Sequence, residues 1–555
     1  MRLRLALSIV LVEILLLIVV LPLLLAWLIY YRGGFHWFTN ELDQKKETFF
    51  NLHPLCMVLG FIVVLSQGIL VYRVIPGPKI IAKIVHACLH LLTSVLVVLG
   101  FVVIWKVHEA EGESQIYTLH GWVGSGALIL FGLQFLFGFI YFLGDGFGSL
   151  KKTILPVHRF LGCCILVLGC VASVAGINMS LGYGMSQHDP KINGTNEGYE
   201  NRPPEATVGN LLGIAICVTV ATVIFVATRP SFQRKNETET SHEKDPLYRS
   251  YLSGVIAFST FFRVAYVCIR ARESRASSTR TMWSNFSKGE FRFAFVVIET
   301  LLFIVVLPLL LTWLIYYRGG FHWSPVLIKE TEEQFFNIHP LCMVLGFIVC
   351  LSQGINKRVA SLFRIRVLGV LIYRIVPGRK IIAKIVHTFL HAVTASLAIL
   401  GVIAVWKYHS AKGSSQVYTL HGWVGLCTLV LFCFQFVFGF VYFIGDRIHG
   451  FKKTIMPVHR FLGLTVLVSS CVACVAGINM KLAAGMGQYD SHVATSNGSV
   501  RNATYGDKPP EAMVANFLGL FIWFAVIAVV FVATRSSFQR QDIIEELSES
   551  DPMLG

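Results

Sequence analysis

Eight histidines carry most of the chemistry this sequence can express. They are His53, His86, His120 and His158, and then His339, His387, His421 and His459. The last two intervals are 34 and 38 residues in both sets, and each histidine sits in a motif that occurs twice. HPLCMVLGFIV stands at 53–63 and 339–349, and KIIAKIVH at 79–86 and 380–387. YTLHGWVG stands at 117–124 and 418–425, and PVHRFLG at 156–162 and 457–463. A neutral imidazole can ligate a metal, relay a proton, or pack through one hydrogen bond. A lone histidine in an apolar stretch is most often of the last kind, whereas four repeated as a set point to ligation.

What must position them follows from composition. The chain has 555 residues, 55% of them apolar and 14% charged, which makes the bilayer its natural solvent. Its net charge of +16 does not indicate a nucleic-acid partner, because the Lys and Arg fall mainly between apolar runs, where they set topology. None of the thirteen cysteines belongs to a CxxCH motif, and most, such as Cys163, Cys164 and Cys471, lie inside apolar runs. That argues against covalently attached haem and against zinc. The apolar run Leu3 to Tyr31 is too long for a signal-peptide core and has a twin at Phe291 to Tyr317, so it reads as a retained transmembrane helix.

Residues 1–235 repeat in parallel order at 287–540. Each copy holds six apolar stretches long enough to span. In the first they are Leu5–Tyr30, Pro54–Tyr72, Ile80–Trp105, Leu119–Leu143, Val157–Asn178 and Ala206–Thr228. The expected fold is an all-α membrane protein of two tandem six-helix transmembrane bundles. Residues 236–286 form a linker with no counterpart, a feature that the fusion of two tandem gene copies would also leave. The second copy has an insert at 356–370, and 541–555 is a tail. Within the linker region, Tyr251 to Ile269 contains Arg263, and as a thirteenth span it would invert the second half, so it is not read as one.

Charge then orients the spans. Arg73, Lys79, Lys83, Lys151, Lys152, Arg159, Arg229, Arg234 and Lys235 mark the cytoplasmic side, which also holds both termini. Acidic loops and the glycosylation sequons at Asn193, Asn497 and Asn502 mark the luminal or extracellular side. Helices 2 and 4 enter from that side and helices 3 and 5 from the cytoplasm. Depth alone therefore pairs His53 with His120 and His86 with His158, and likewise His339 with His421 and His387 with His459. Two imidazoles on neighbouring helices, with no carboxylate or thiolate beside them, suit the two axial positions of a haem iron. A haem-free histidine relay for protons or metal ions is the alternative, and a module that holds haem without turnover is another. A zinc site fits less well, because the two pairs lie most of a bilayer apart. His90 and His391, one turn after His86 and His387, read as packing or supporting residues. His36, His188 and His449 fall in loops and read as solvated, and Glu13 and Glu299, at equal positions in helix 1, have no assigned role.

With these motifs both halves resemble the cytochrome b561 family of ascorbate-dependent transmembrane oxidoreductases. The resemblance implies two b-type haems per unit, four per chain, on the same eight histidines. It also implies ascorbate as the cytoplasmic donor and monodehydroascorbate or ferric iron as the acceptor. The family's ascorbate lysines map onto Lys79 and Lys83, and onto Lys380 and Lys384. A further basic position maps onto Lys152 and Lys453, and acceptor-side positions onto His108, Tyr117, His409 and Tyr418. The TLHGW form of the fourth-helix motif departs from the serine-bearing form common in the family. Plasma membrane and endosomal, lysosomal or vesicle membranes remain open as the location, and a homodimer or an intrachain pseudo-dimer as the assembly.

Overall fold

The computed structural model describes residues 2–37, 42–75, 78–112, 115–143, 148–182, 204–228, 296–323, 331–352, 380–414, 416–440, 449–487, 492–494, 498–507 and 509–534. The linker 236–286 with Tyr251–Ile269, the insert 356–370, the tail 541–555, His188, Asn193 and Asn497 lie outside the described residues. So do the side chains of Lys152, Lys380, Lys453 and His449.

In hydrocarbon every backbone N–H and C=O must find its partner within the chain, and the helix does this segment by segment. Twelve described helices are long and apolar enough to cross a membrane. In the first unit they are α1 (Leu5–Tyr31), α2 (Lys45–Val74), α3 (Lys79–Glu111), α4 (Leu119–Phe142), α5 (Ile154–Gly182) and α6 (Pro204–Thr228). In the second they are α7 (Val296–Tyr317), α8 (Glu332–Cys350), α9 (Lys384–Lys412), α10 (Leu420–Gly439), α11 (Val458–Ala483) and α12 (Pro510–Ala533). Several overrun the apolar window read from sequence. The helix of α3 begins after Pro78, whose fixed φ suits a helix entry, and ends where Gly112 takes φ 67°. The overrun carries Lys79 at one end and His108 at the other, so the same rigid element reaches both membrane edges.

Helices α2 to α5 form a four-helix bundle in which α2 packs on α3 and α4 on α5, with α1 and α6 alongside. The outermost helices are the least covered: 17% of the α4 window and 22% of α3 are buried, against 72% of α5. Exposed Leu91, Leu92, Val95, Val98 and Val102 give α3 an apolar outer face suited to lipid. A buried carboxylate ties α1 to α6. Glu205 accepts from Trp27 Nε1 at 3.0 Å and pairs with Arg32. The second unit repeats the device with Glu511, Trp313 at 3.0 Å and Arg318 at 2.6 Å. Asn51 and Asn337 then donate to the carbonyls that follow α1 and α7, Arg32 and Gly34 in one unit and Arg318 and Gly320 in the other, at 2.7–2.9 Å. This holds α2 and α8 at the break in each helix two residues ahead of His53 and His339.

The fifth helix of each unit faces its counterpart. The two units pack α5 on α11, α6 on α10 and α12 on α4, with Phe160 against Phe531 and Phe225 against Phe461. Close approach requires glycine here, since a Cβ on Gly213 would lie 2.5 Å from Leu420 Cδ2. Beyond α11 the chain makes a short antiparallel hairpin, His492–Ala494 with Val500–Asn502, and the turn Tyr505–Asp507. Asn502 is exposed on that hairpin, as a glycosylation acceptor must be.

Arg501 donates to both Asp507 oxygens at 2.8 and 2.6 Å, and together with the Thr504 backbone N–H it pushes the Asp507 carboxyl down to about 2. A carboxyl depressed in the folded state stabilises the turn above the ordinary carboxylate range, and that contribution is lost as pH falls toward the folded value. Protection of 500–507 from amide exchange is therefore expected to hold from pH 7 to about pH 4 and to fall between there and pH 2. Asp507→Asn is expected to show the weakened protection already at pH 7.

Candidate functional site

Each unit brings four histidines into two facing pairs. The ring centroids of His53 and His120 are 6.1 Å apart, and those of His86 and His158 are 6.2 Å apart. In the second unit His339 and His421 are 6.1 Å apart, and His387 and His459 are 6.3 Å apart. Two imidazoles bound through a ring nitrogen to a metal midway between them, at about 2 Å each, have centroids about 6 Å apart. The depths assigned from sequence thus coincide with rings set at a ligating distance.

Hydrogen bonds select which nitrogen faces inward. His53 Nδ1 meets Gly100 O at 3.0 Å, His86 Nδ1 meets Gly68 O at 2.8 Å, and His120 Nδ1 meets Ala172 O at 3.0 Å. His339 and His421 repeat this on Gly401 O at 3.1 Å and Ala473 O at 2.9 Å. A carbonyl can only accept, so Nδ1 carries the proton and Nε2 keeps its lone pair, the arrangement that metal-bound histidines use. His86 and the Gly100 carbonyl lie on one helix fourteen residues apart, so the two pairs are separated by about 21 Å at 1.5 Å per residue. His158 and Ala172 on α5 have the same spacing. Two helices thus carry both levels of the site.

The rings fit because facing helices lack side chains. A Cβ on Gly176 would come 2.8 Å from His120 Cε1, and one on Gly477 would meet His421 at the same distance. Gly138 and Gly439 stand 3.3 and 3.4 Å, by the same measure, from His158 and His459. Gln134 and Gln435 donate to the carbonyls of His158 and His459 at 3.1 and 3.0 Å. Tyr72 lies 5.3 Å from the His86 ring and Phe142 5.0 Å from His158.

Other residues singled out in the sequence fall around these pairs. Lys79 and Lys83 are half-buried on the first turns of α3, about two turns and just under one turn from His86, and Lys384 is half-buried at the matching place. His108 and Tyr117 come together at 6.0 Å, as do His409 and Tyr418 at 5.9 Å, at the His53 and His339 ends. His90 and His391 are closer to the site than packing residues need be. Their rings lie 4.2 Å from His86 and His387, and His391 Nε2 is 3.1 Å from His387 Nε2, a bond that coordination at that nitrogen would replace. Glu13 has a partner, since Gln67 Nε2 reaches both its oxygens at 2.9 Å. His36 is half-buried rather than solvated, with its backbone N–H on Thr48 O. Cys471 and Cys474, spaced as CxxC within α11, are free thiols.

Sequence reading missed the residues that hold the histidines: Gly176, Gly477, Asn51, Asn337, Gln134 and Gln435. The available signal was their recurrence in both copies, in FFNLHP and FFNIHP, in CVASVAGINM and CVACVAGINM, and in LQFLFGF and FQFVFGF.

A helical bundle with paired imidazoles at both ends of a membrane-spanning core, five of the eight tethered through Nδ1, defines a polytopic membrane protein with two histidine levels in each unit. Comparison with known proteins is specific on this point. The eukaryotic cytochrome b561 family matches residues 52–183 and 338–485, and the chain belongs to that family. Human "Transmembrane ascorbate-dependent reductase CYB561" is 32% identical over 216 residues, 39% of this chain and 79% of that protein. Mouse "Lysosomal membrane ascorbate-dependent ferrireductase CYB561A3" is 32% identical over 212 residues, 38% of this chain and 82% of that protein. Family membership implies haem b, and the histidine pairs fit it in separation, tautomer and apolar surroundings.

Gly176→Ala places a methyl group against a ring already held by Ala172 O, so overpacking of about 1–3 kcal/mol is expected at that seat. Haem per chain is expected to fall while helix content by circular dichroism stays constant. Gly124→Ala, where a Cβ meets nothing within 4 Å, is expected to leave haem content unchanged.

Proposed function

We propose that the chain is a transmembrane electron carrier. It takes electrons from cytosolic ascorbate and delivers them to monodehydroascorbate or ferric iron on the luminal or extracellular side, with two b-type haems in each unit. The observation that carries this reading is the pair of imidazole sites about 21 Å apart on the shared helices α3 and α5. A protein that only bound one metal ion would have no use for a second site at the opposite edge.

Bound haem supplies a one-electron iron couple at each level. The chain's own residues do the rest. His86, His158, His53 and His120 present Nε2 from opposite sides of each site, as do His387, His459, His339 and His421. At His53, His86, His120, His339 and His421 backbone carbonyls keep Nδ1 protonated, so those rings stay neutral ligands. Lys79 and Lys83, spaced i, i+4, offer two ammonium groups on one helix face beside His86, which suits an anion such as ascorbate. Lys380 and Lys384 take these places in the second unit, and Lys152 and Lys453 add charge at the start of the fifth helix of each. On the opposite side His108 with Tyr117, and His409 with Tyr418, frame the exit toward the acceptor. The relatives' names, an ascorbate-dependent reductase and a lysosomal ascorbate-dependent ferrireductase, support this class of donor and acceptor and a vesicle membrane as location. Both termini are cytoplasmic in this orientation, and the two units act as an intrachain pseudo-dimer.

The test is a reduced-minus-oxidised visible spectrum of the purified chain, with haem quantified, after adding ascorbate. Near four haems per chain, all reducible, is expected from the four histidine pairs. Near two would show that one unit does not work, and no Soret band would overturn the reading in favour of a histidine relay. Replacing Lys79 and Lys83 together by Ala in a chain whose second unit carries His387→Ala is expected to raise the KM for ascorbate about tenfold or more, since hydrogen bonds to charged groups are worth about 1.5–3 kcal/mol. Haem content of the first unit is expected not to change.

A further inference from the structure

The helix that carries His120 begins on groups supplied by the other unit. Its first free N–H, at Leu119, donates to Tyr505 Oη at 2.9 Å, and the next, at His120 itself, donates to Asn479 Oδ1 at 3.3 Å. Only the third, at Gly121, is satisfied locally, by Thr118 Oγ1 at 3.0 Å. The Tyr117 carbonyl just ahead accepts from Asn516 Nδ2 at 3.0 Å. Tyr505, Asn479 and Asn516 all belong to the second unit.

The second unit is held the same way in reverse. His421 N–H donates to Asn178 Oδ1 at 3.3 Å, Gly422 N–H to Thr419 Oγ1 at 3.2 Å, and the Tyr418 carbonyl accepts from Asn210 Nδ2 at 2.9 Å. Asn178 and Asn210 belong to the first unit. Asn178 and Asn479 are fully buried, at 0% exposure, and among the described residues neither Nδ2 makes a hydrogen bond. Each thus carries the cost of an unspent buried donor while giving its oxygen to one histidine N–H across the interface. The same half-used side chain stands at the same place in both units.

We infer that Asn178 and Asn479 are positioning residues acting in trans between the units: each caps the helix that presents the other unit's His421 or His120, and so sets the place and electrostatics of that unit's acceptor-side haem ligand. The inference rests on the haem reading above for its redox consequence, but not for the cap itself. The N-terminus of a helix carries partial positive charge on its free N–H groups, and an oxygen accepting from them offsets it. Removal of the oxygen leaves that charge beside the ligand and favours the reduced iron. A carboxylate in its place offsets more of it and favours the oxidised iron.

The experiment uses the full chain with His339→Ala, so that the one acceptor-side pair left intact is His53 with His120. In that background Asn479→Leu is expected to raise the midpoint potential of the remaining acceptor-side haem and to alter its low-spin electron paramagnetic resonance signal. Asn479→Asp, which keeps the acceptor, is expected to lower the potential. Amide exchange over 118–124, measured on the otherwise natural chain, is expected to quicken at least several-fold with Asn479→Leu and to return toward the natural rate with Asn479→Asp. An unchanged exchange rate, or an unchanged potential of the first unit's haem, would overturn the inference. Absence of haem from the natural chain would overturn the proposed function instead, and the exchange measurement would still decide whether the cap acts between units.

Discussion

A backbone carbonyl inside a helix has a lone pair left over after its own i→i+4 bond, and His53, His86, His120, His339 and His421 use it. In water the Nδ1–H of such a histidine would have competing acceptors. In a bilayer interior there are none, so the nearest helical carbonyl decides both tautomer and ring plane. Most other features of the core follow from that bond. The carbonyl must come close, so the ring must lie against the backbone of the facing helix, and Gly176 and Gly477 are needed where it does. The backbone just ahead of each ring must also be held, which Asn51 and Asn337 do at the breaks in α2 and α8 and the interface asparagines do at the starts of α4 and α10.

Apolar side chains gain little by leaving lipid for one another, so two six-helix units cannot associate in a membrane by hydrophobicity alone. The interface here uses what remains. Glycines let α6 approach α10 and α12 approach α4, and buried amides cross between units where helix ends leave N–H and C=O groups free. Because the two units are copies, the same amide serves on both sides of a pseudo-two-fold axis. This explains why α5 and α11, which pack on each other across the units, also carry Asn178 and Asn479 near their ends. Duplication within one chain removes the concentration dependence that such a reciprocal contact would have between separate molecules.

The copies differ at the His339 end. The rim pair Lys46–Glu111 of the first unit becomes Glu332–Lys412 in the second, with the charges exchanged at matching positions. Such half-exposed pairs contribute little to stability, so the exchange costs little. Lys481 is a larger change, since Ser180 occupies its place in the first unit. Its ammonium lies 4.5 Å above the Phe336 ring and 2.8 Å from Glu333, and Phe336 is 6.0 Å from His339. The two units therefore present different charge at their His53 and His339 ends, while the histidine pairs behind are the same.

Length, apolar content and a second copy of every motif were enough to determine twelve spans in two bundles, because crossing a bilayer fixes how long and how apolar a helix must be. Loop charge then placed each histidine at one edge, and opposite entry of neighbouring helices put His53 level with His120 and His86 level with His158. Depth is a one-dimensional quantity and is legible from a string of residues. Rotation about the helix axis is not. Whether His90 would lie beside His86 or merely on its face, which carbonyl each Nδ1 would meet, and that Gly176 would have to be bare were settled only by how the helices turn toward one another. The contacts between units lie further still from the sequence: nothing local to YTLHGWVG says that its first N–H groups are satisfied by Asn479 and Tyr505, more than 350 residues away. A helix end states only that it needs partners, and the tertiary structure decides who supplies them.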